Sequence, residues 1–136
     1  MYNRSKSCQF VVDTACLNDF ISNRKPLYEI DGKQIFCNEI LDHLHNSNIR
    51  RGDVIMLHSD VLGMGRPDLR LFGSFLESII SIFISAIGPS GTLVMPTFTW
   101  SFPNNEIFDK EQTPSKVGAL TEYFRQRRGS VRTVDP

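Results

Sequence analysis

Val54-Ile55-Met56-Leu57, then Leu69 to Ile87, then Thr92-Leu93-Val94-Met95: these three stretches decide the fold. The two tetrapeptides are continuous apolar runs bounded by turn residues, Arg50-Arg51-Gly52-Asp53 before the first and Ser90-Gly91 before the second. Such runs fit strands covered on both faces, as in a parallel sheet. The stretch between them reads as a helix. Asp68 is placed to cap its N-terminus, and Leu71, Phe72, Phe75, Leu76, Ile79, Ile80, Phe83 and Ile84 are apolar nearly all round it, so it is expected to be buried on more than one side. Gly88 suits the left-handed residue that ends a helix, and Pro89 bars continuation. Strand, helix and strand with short links make a right-handed βαβ unit with parallel strands. The expected fold class is α/β, a mostly parallel sheet flanked by helices in an α/β sandwich.

Upstream, Tyr28 to Ile35 reads as a hairpin turning at Asp31-Gly32, a favoured pair for a tight turn. A short amphipathic helix follows, with Ile40, Leu41 and Leu44 on its buried face and Asn46-Ser47-Asn48 at its end. Residues 1–27 show no clear period and are read as an N-terminal arm, separate from an α/β unit over 28–136. Downstream, Pro96 to Gln112 is too polar for a core element, yet Phe98, Trp100, Phe102 and Phe108 stud it. An aromatic loop at the carboxyl end of a strand is a common place for function. Thr113-Pro114-Ser115 signals a helix start, Lys116 to Arg128 reads as the helix, and Gly129 stops it. Ser130 to Val134 reads as the opening of a third strand, which leaves the sheet incomplete at Pro136.

Fifteen Lys and Arg balance fifteen Asp and Glu among 136 residues, so the formal net charge is zero. A neutral chain has no global field drawing it onto nucleic acid or an anionic membrane, and any site for a charged ligand is local. Cys8, Cys16 and Cys37 form no zinc-spaced cluster and read as reduced thiols of a cytoplasmic protein. No signal peptide is evident, and the most apolar segment, Ile79 to Ile87, is far shorter than the roughly 20 residues that span a bilayer. His43 and His45 fall on different faces of their helix; no metal site is expected. Gly63-Met64-Gly65 lacks the third glycine of a dinucleotide fingerprint, Asp68 standing in its place.

Four segments together resemble the aminoglycoside 3-N-acetyltransferase family: Gly52 to Ser59, Gly88 to Thr99, Thr113 to Arg125, and Arg132-Thr133-Val134-Asp135-Pro136. They keep the family's order. The resemblance implies an α/β sandwich and transfer of an acetyl group from acetyl-CoA to the amine of an amino sugar or aminoglycoside. It also implies that this chain corresponds to the first half of the family's domain, ahead of the family's catalytic histidine. The alternative reading is a truncated, inactive or binding-only fragment, poorly stable in isolation. Asp60 and Val61 stand where the family often has serine and leucine. Asp135 stands where resistance enzymes more often carry histidine before proline. With Asn105 to Asp109, this Asp-Pro form is similar to the branch linked to surface-polysaccharide amino sugars.

Acetyl transfer to an amine needs a held thioester, a base for the amine proton and donors for the oxyanion. A parallel sheet offers a site just beyond the carboxyl ends of its strands. His58, Ser59 and Asp60 lie at the first such end and are candidate acetyl-CoA contacts, with help from the dipole of the helix beginning near Asp68. Thr97, Phe98 and Thr99 end the second strand and are candidate walls of the sugar or acyl-donor pocket, unless these aromatics fold back as core. Arg132 is a candidate for a CoA phosphate through its bidentate fork, and Asp135 for the substrate amine. Arg125-Gln126-Arg127-Arg128 reads as cations at a helix C-terminus, complementing its dipole.

Overall fold

The computed structural model describes residues 26–61, 63–69 and 72–133. Residues 1–25 lie outside them, and with these most of the expected arm, Cys8 and Cys16; so do Val134, Asp135 and Pro136. Seven elements follow in order: β1 (Tyr28–Ile30), β2 (Lys33–Ile35), α1 (Cys37–Asn46), β3 (Val54–Met56), α2 (Phe72–Ile87), β4 (Thr92–Val94) and α3 (Ala119–Gln126).

The hairpin forms as its sequence dictates. Tyr28 pairs with Ile35 and Ile30 with Lys33, antiparallel. Asp31 and Gly32 turn with φ of 49° and 79°, the positive pair that a two-residue hairpin loop requires. Leu27 extends this pairing, its N–H donating to the Ile35 carbonyl at 2.7 Å, and its side chain is buried. The packed unit thus begins within the stretch read as arm. Glu39 reaches back to accept the Phe36 N–H at 2.8 Å, satisfying one free donor at the start of α1.

The βαβ unit is also present. β3 and β4 pair in parallel, with Val54 opposite Thr92 and Met56 opposite Val94. α2 is the centre of the molecule. Phe75, Leu76, Ile79, Ile80, Ile82, Ile84 and Ile87 are all buried, and α1, α3 and β4 pack around the helix. Burying one such side chain stabilises by roughly 1.5–3 kcal/mol, so this helix carries most of the core. Ser78 and Ser81 are buried within it because each has a helical partner: Ser78 Oγ donates to the Ser74 carbonyl and Ser81 Oγ to Glu77. Gly88 ends the helix with φ of 66°.

α2 is described from Phe72; Leu69, where the sequence puts its start, is in a 3-10 turn, and Arg70 and Leu71 lie outside the described residues. Arg66, ahead of it, exchanges both main-chain hydrogen bonds with Glu29 of the hairpin. Two expectations are corrected. The strands are covered on one face only: Val54 and Met56 remain 72% and 69% exposed, while Leu57, Leu93 and Met95 turn to the core. Finally, Ser130 to Thr133 join no strand. Their segment is parted from β4 by a groove, and a strand needs a partner within hydrogen-bonding distance. Among the described residues the parallel sheet therefore has two strands, and the sandwich is reduced to an α/β arrangement of one parallel pair, one hairpin and three helices. No described helix is long and apolar enough to cross a membrane.

Candidate functional site

The carboxyl ends of β3 and β4 lie side by side, the Leu57 N–H donating to the Val94 carbonyl at 2.8 Å. Beyond β4 the chain dives and resurfaces: Met95 and Pro96 are buried, Thr97 is half-buried and Phe98 is exposed. A groove of about 460 Å³ opens here, walled by Met56, Val94 to Phe98, Phe124 and Arg125 of α3, and the segment Gly129 to Thr133. That volume suits a drug-sized or cofactor-sized ligand. The lining is mostly apolar, and the few polar groups therefore fix what it accepts. One of them, Ser130 Oγ, is buried without a hydrogen-bond partner.

Arg132 crosses the groove wall. Its Nη1 donates to the carbonyls of Thr113 at 2.5 Å and Lys110 at 3.4 Å, and its Nη2 to the carbonyl of Thr97. The guanidinium also sits 4.8 Å from the centre of the Phe108 ring, within cation–π range. Part of the donor fork expected to meet a phosphate is thus turned onto main-chain carbonyls.

Ser59 lies elsewhere. Its carbonyl oxygen is 4.0 Å from the place a Cβ would take on Gly118, the residue that precedes α3. Ser59 Oγ is the second buried hydroxyl without a partner among the described residues. The start of α3 thus lies beside this serine. α3 also starts later than Lys116, because Gly118 takes φ of 140° and sets the start at Ala119. Thr121 Oγ1 donates to the Gly118 carbonyl, and Ser115 and Thr121 exchange a hydroxyl hydrogen bond at 3.1 Å.

Glu122 fastens this turn. Its carboxylate accepts the Ser115 N–H at 2.7 Å and the Nε and Nη2 of Arg125 at 2.8 and 2.7 Å. Hydrogen bonding from Arg125, foremost, then from Ser115 and Gln126, lowers its pKa from 4.5 to about 2. A carboxylate whose folded-state pKa is depressed stabilises the fold above its unfolded value, and that contribution is lost as the pH falls through the folded value. The urea midpoint is expected to decline from pH 4.5 toward pH 2, and Glu122→Gln to flatten that part of the decline while lowering the midpoint at neutral pH. Arg125 and Arg127 are not loose cations at a helix end: Arg125 pairs with Glu122, and Arg127 with Glu77 of α2.

The structure thus brings Thr97, Phe98 and Arg132 to one groove. It does not bring His58, Ser59 and Asp60 to that groove's wall; His58 and Asp60 are exposed. Thr99 is buried, with its hydroxyl bonded to Ser101 at 3.1 Å, so it shapes the loop and does not line the groove. Phe98 and Trp100 are 55% and 59% exposed; they are surface, not core folded back. Asp135 lies outside the described residues. Sequence reasoning missed Gly118 and Ser130 as site residues. Gly118 lies inside the segment Thr113 to Arg125, where a glycine gives no sign of the dihedral angles it takes, and a lone serine after a helix carries no signal.

No solved structure matches the chain. A family model described as aminoglycoside 3-N-acetyltransferase does, over residues 56–136, which takes in both strand ends, the groove and α3 with the turn before it. That match covers more than half of the chain, and the chain belongs to the aminoglycoside 3-N-acetyltransferase family.

Proposed function

We propose that this chain supplies the acyl-donor site of an acetyl-CoA-dependent N-acetyltransferase acting on an amino sugar or aminoglycoside. The family match over residues 56–136 carries this reading, and the geometry supports it at two places. Acetyl-CoA supplies the acetyl group as a thioester at the end of a long, apolar, amide-bearing arm, with its phosphates at the other end. The N-terminus of α3 suits the phosphates, because its free N–H groups and dipole favour an anion. Ser59 Oγ is a buried hydroxyl there in want of a partner. The groove suits the arm, with apolar walls and the partnerless Ser130 Oγ for an amide. Phe124 and Arg125 of α3 line that groove, so its far side lies within one short helix, about 12 Å long at 1.5 Å per residue, of Gly118.

In this arrangement the chain's own residues bind and orient. Ser59 and the first amides of α3 fix one end of the donor. The groove keeps water from the arm, which strengthens the polar contacts within it. The exposed Phe98 lines the groove, where an amino sugar approaches with its apolar face against the ring. The acceptor is a sugar amine; its nitrogen attacks the thioester carbonyl, the carbon–sulfur bond breaks, the thiol departs and the amine loses a proton to a base. His58 and Asp60, exposed beside Ser59, remain proposed contacts for the nucleotide end of the donor, as Asp135 remains one for the amine.

Isothermal titration with coenzyme A tests the reading. Saturable binding is the expected result; no heat up to millimolar coenzyme A overturns it. Ser59→Ala sharpens the test, since the two roles of an orphaned hydroxyl predict opposite signs. Removing a buried hydroxyl that has no partner is neutral or slightly stabilising for the free chain. Removing a ligand contact weakens binding about tenfold, the equivalent of roughly 1.4 kcal/mol. The expected variant melts no lower than the parent and binds coenzyme A more weakly.

A further inference from the structure

We propose that Arg132 is the positioning residue of the groove: its guanidinium clamps the two ends of the loop 97–113 together and so sets the wall formed by Thr97 and Phe98. Three observations carry this. The carbonyls it binds belong to Thr97 and Thr113, the first and last residues of that loop, with Lys110 as a third point. The same guanidinium rests on the Phe108 ring, inside the loop, at 4.8 Å. Arg132, Thr97 and Phe98 all line the groove.

The chemistry suits a clamp. Main-chain carbonyls carry no charge to neutralise a cation, so nothing is gained by placing an arginine there unless its planar fork holds several of them in register. Closing a long loop costs conformational entropy that grows with its length, and one side chain bound to both ends offsets part of that cost. A further main-chain bond, from the Lys116 N–H to the Phe98 carbonyl at 2.9 Å, holds the same junction from the other side. Within the loop Asp109 accepts the N–H groups of Glu111 and Gln112, and Thr113 and Asp109 exchange hydrogen bonds; Arg125 Nη1 of α3 donates to the Glu111 carbonyl at 2.6 Å. Arg132 is thus a fixing point between the two ends of this loop and the groove. Lysine, with one ammonium, reaches one end of the loop but does not span both.

The clamp's consequence for ligand rests on the acyl-donor reading above, and the experiment separates the two. Arg132→Lys and Arg132→Met are compared with the parent chain in hydrogen exchange and in binding of coenzyme A, dephospho-coenzyme A and S-acetylpantetheine. A clamp predicts that amides within 97–113 exchange faster by tenfold or more in the methionine variant, while those of α2 do not change. It also predicts that all three probes weaken by one common factor, with the lysine variant intermediate. A loss confined to the probe carrying the 3′-phosphate overturns the clamp in favour of a direct phosphate contact, and so does unchanged loop exchange. If the parent binds none of the probes, the acyl-donor reading falls, and loop exchange alone decides whether Arg132 clamps.

Discussion

Replacing Arg127 by methionine is expected to destabilise the chain by about 3–5 kcal/mol, the range for removing one partner of a buried ion pair. Arg127 Nη2 lies 3.0 Å from Glu77 Oε1, and the two side chains are only 9% and 11% exposed. Nε adds contacts of 3.2 Å to both carboxylate oxygens. Glu77 sits in the middle of α2, among the residues that make the core. Without Arg127 its carboxylate keeps a hydrogen bond from Ser81 and loses its countercharge in a place water scarcely reaches. For a domain of this kind the total stability is of order 5–15 kcal/mol, so the variant is expected to sit near the edge of folding. The double variant Glu77→Gln with Arg127→Met separates the charge from the packing. It is expected to recover much of the loss, because a neutral amide with a serine partner costs far less to bury than an unpaired carboxylate. Urea midpoints of the two single variants and the double variant give the coupling directly. If Arg127→Met costs less than about 1 kcal/mol, the pair behaves as a surface pair, and its place in holding α3 to α2 is refuted.

This pair also shows which parts of the molecule the sequence discloses. The βαβ unit is legible because its signals are local. Apolar runs of four residues, a long apolar helix and glycines at the turns each constrain only their neighbours, and they agree with one another. The Asp31-Gly32 hairpin is legible for the same reason. Glu77 and Arg127 are fifty residues apart, and nothing within either segment announces the other; the arginines read naturally as helix-end cations. Ser59 and Gly118 meet in the same hidden way. The uncovered face of β3 is illegible for another reason. Val54 and Met56 have the composition of buried strand residues, and composition does not reveal whether a second layer is present to cover them. Ser130 to Thr133 carry β-branched residues that suit a strand, but strand formation depends on the partner across the ladder. Here β4 is held off by the groove, and the arginine in the segment binds loop carbonyls in place of a sheet.

Gly118→Ala is expected to cost about 1–3 kcal/mol of stability and to weaken coenzyme A binding more than tenfold. The stability term follows from the backbone. Gly118 adopts φ of 140° and ψ of 160°, a region that is essentially restricted to glycine and costs of order 1–3 kcal/mol for a side chain held there. Space is not the difficulty, since an added Cβ would meet nothing closer than Thr121 Oγ1 at 3.9 Å. The chain is expected to respond by rotating Gly118 toward ordinary dihedral angles. That rotation moves the Gly118 carbonyl, which accepts from both Thr121 Oγ1 and the Glu122 N–H, and so unwinds the first turn of α3. It also parts Ser59 from the helix N-terminus. A site made of oriented amides loses its ligand when their orientation is lost, whereas a contact elsewhere on the chain is untouched by the change. Comparing Gly118→Ala with Gly32→Ala controls for strain alone. Gly32 also has positive φ, at 79°, but it lies in the turn between β1 and β2 and is not part of the groove wall. Both variants are expected to melt lower, and Gly118→Ala alone to lose coenzyme A binding by the larger factor. Equal binding losses would place the phosphates away from the start of α3, and intact binding in Gly118→Ala would remove that helix from the donor site altogether.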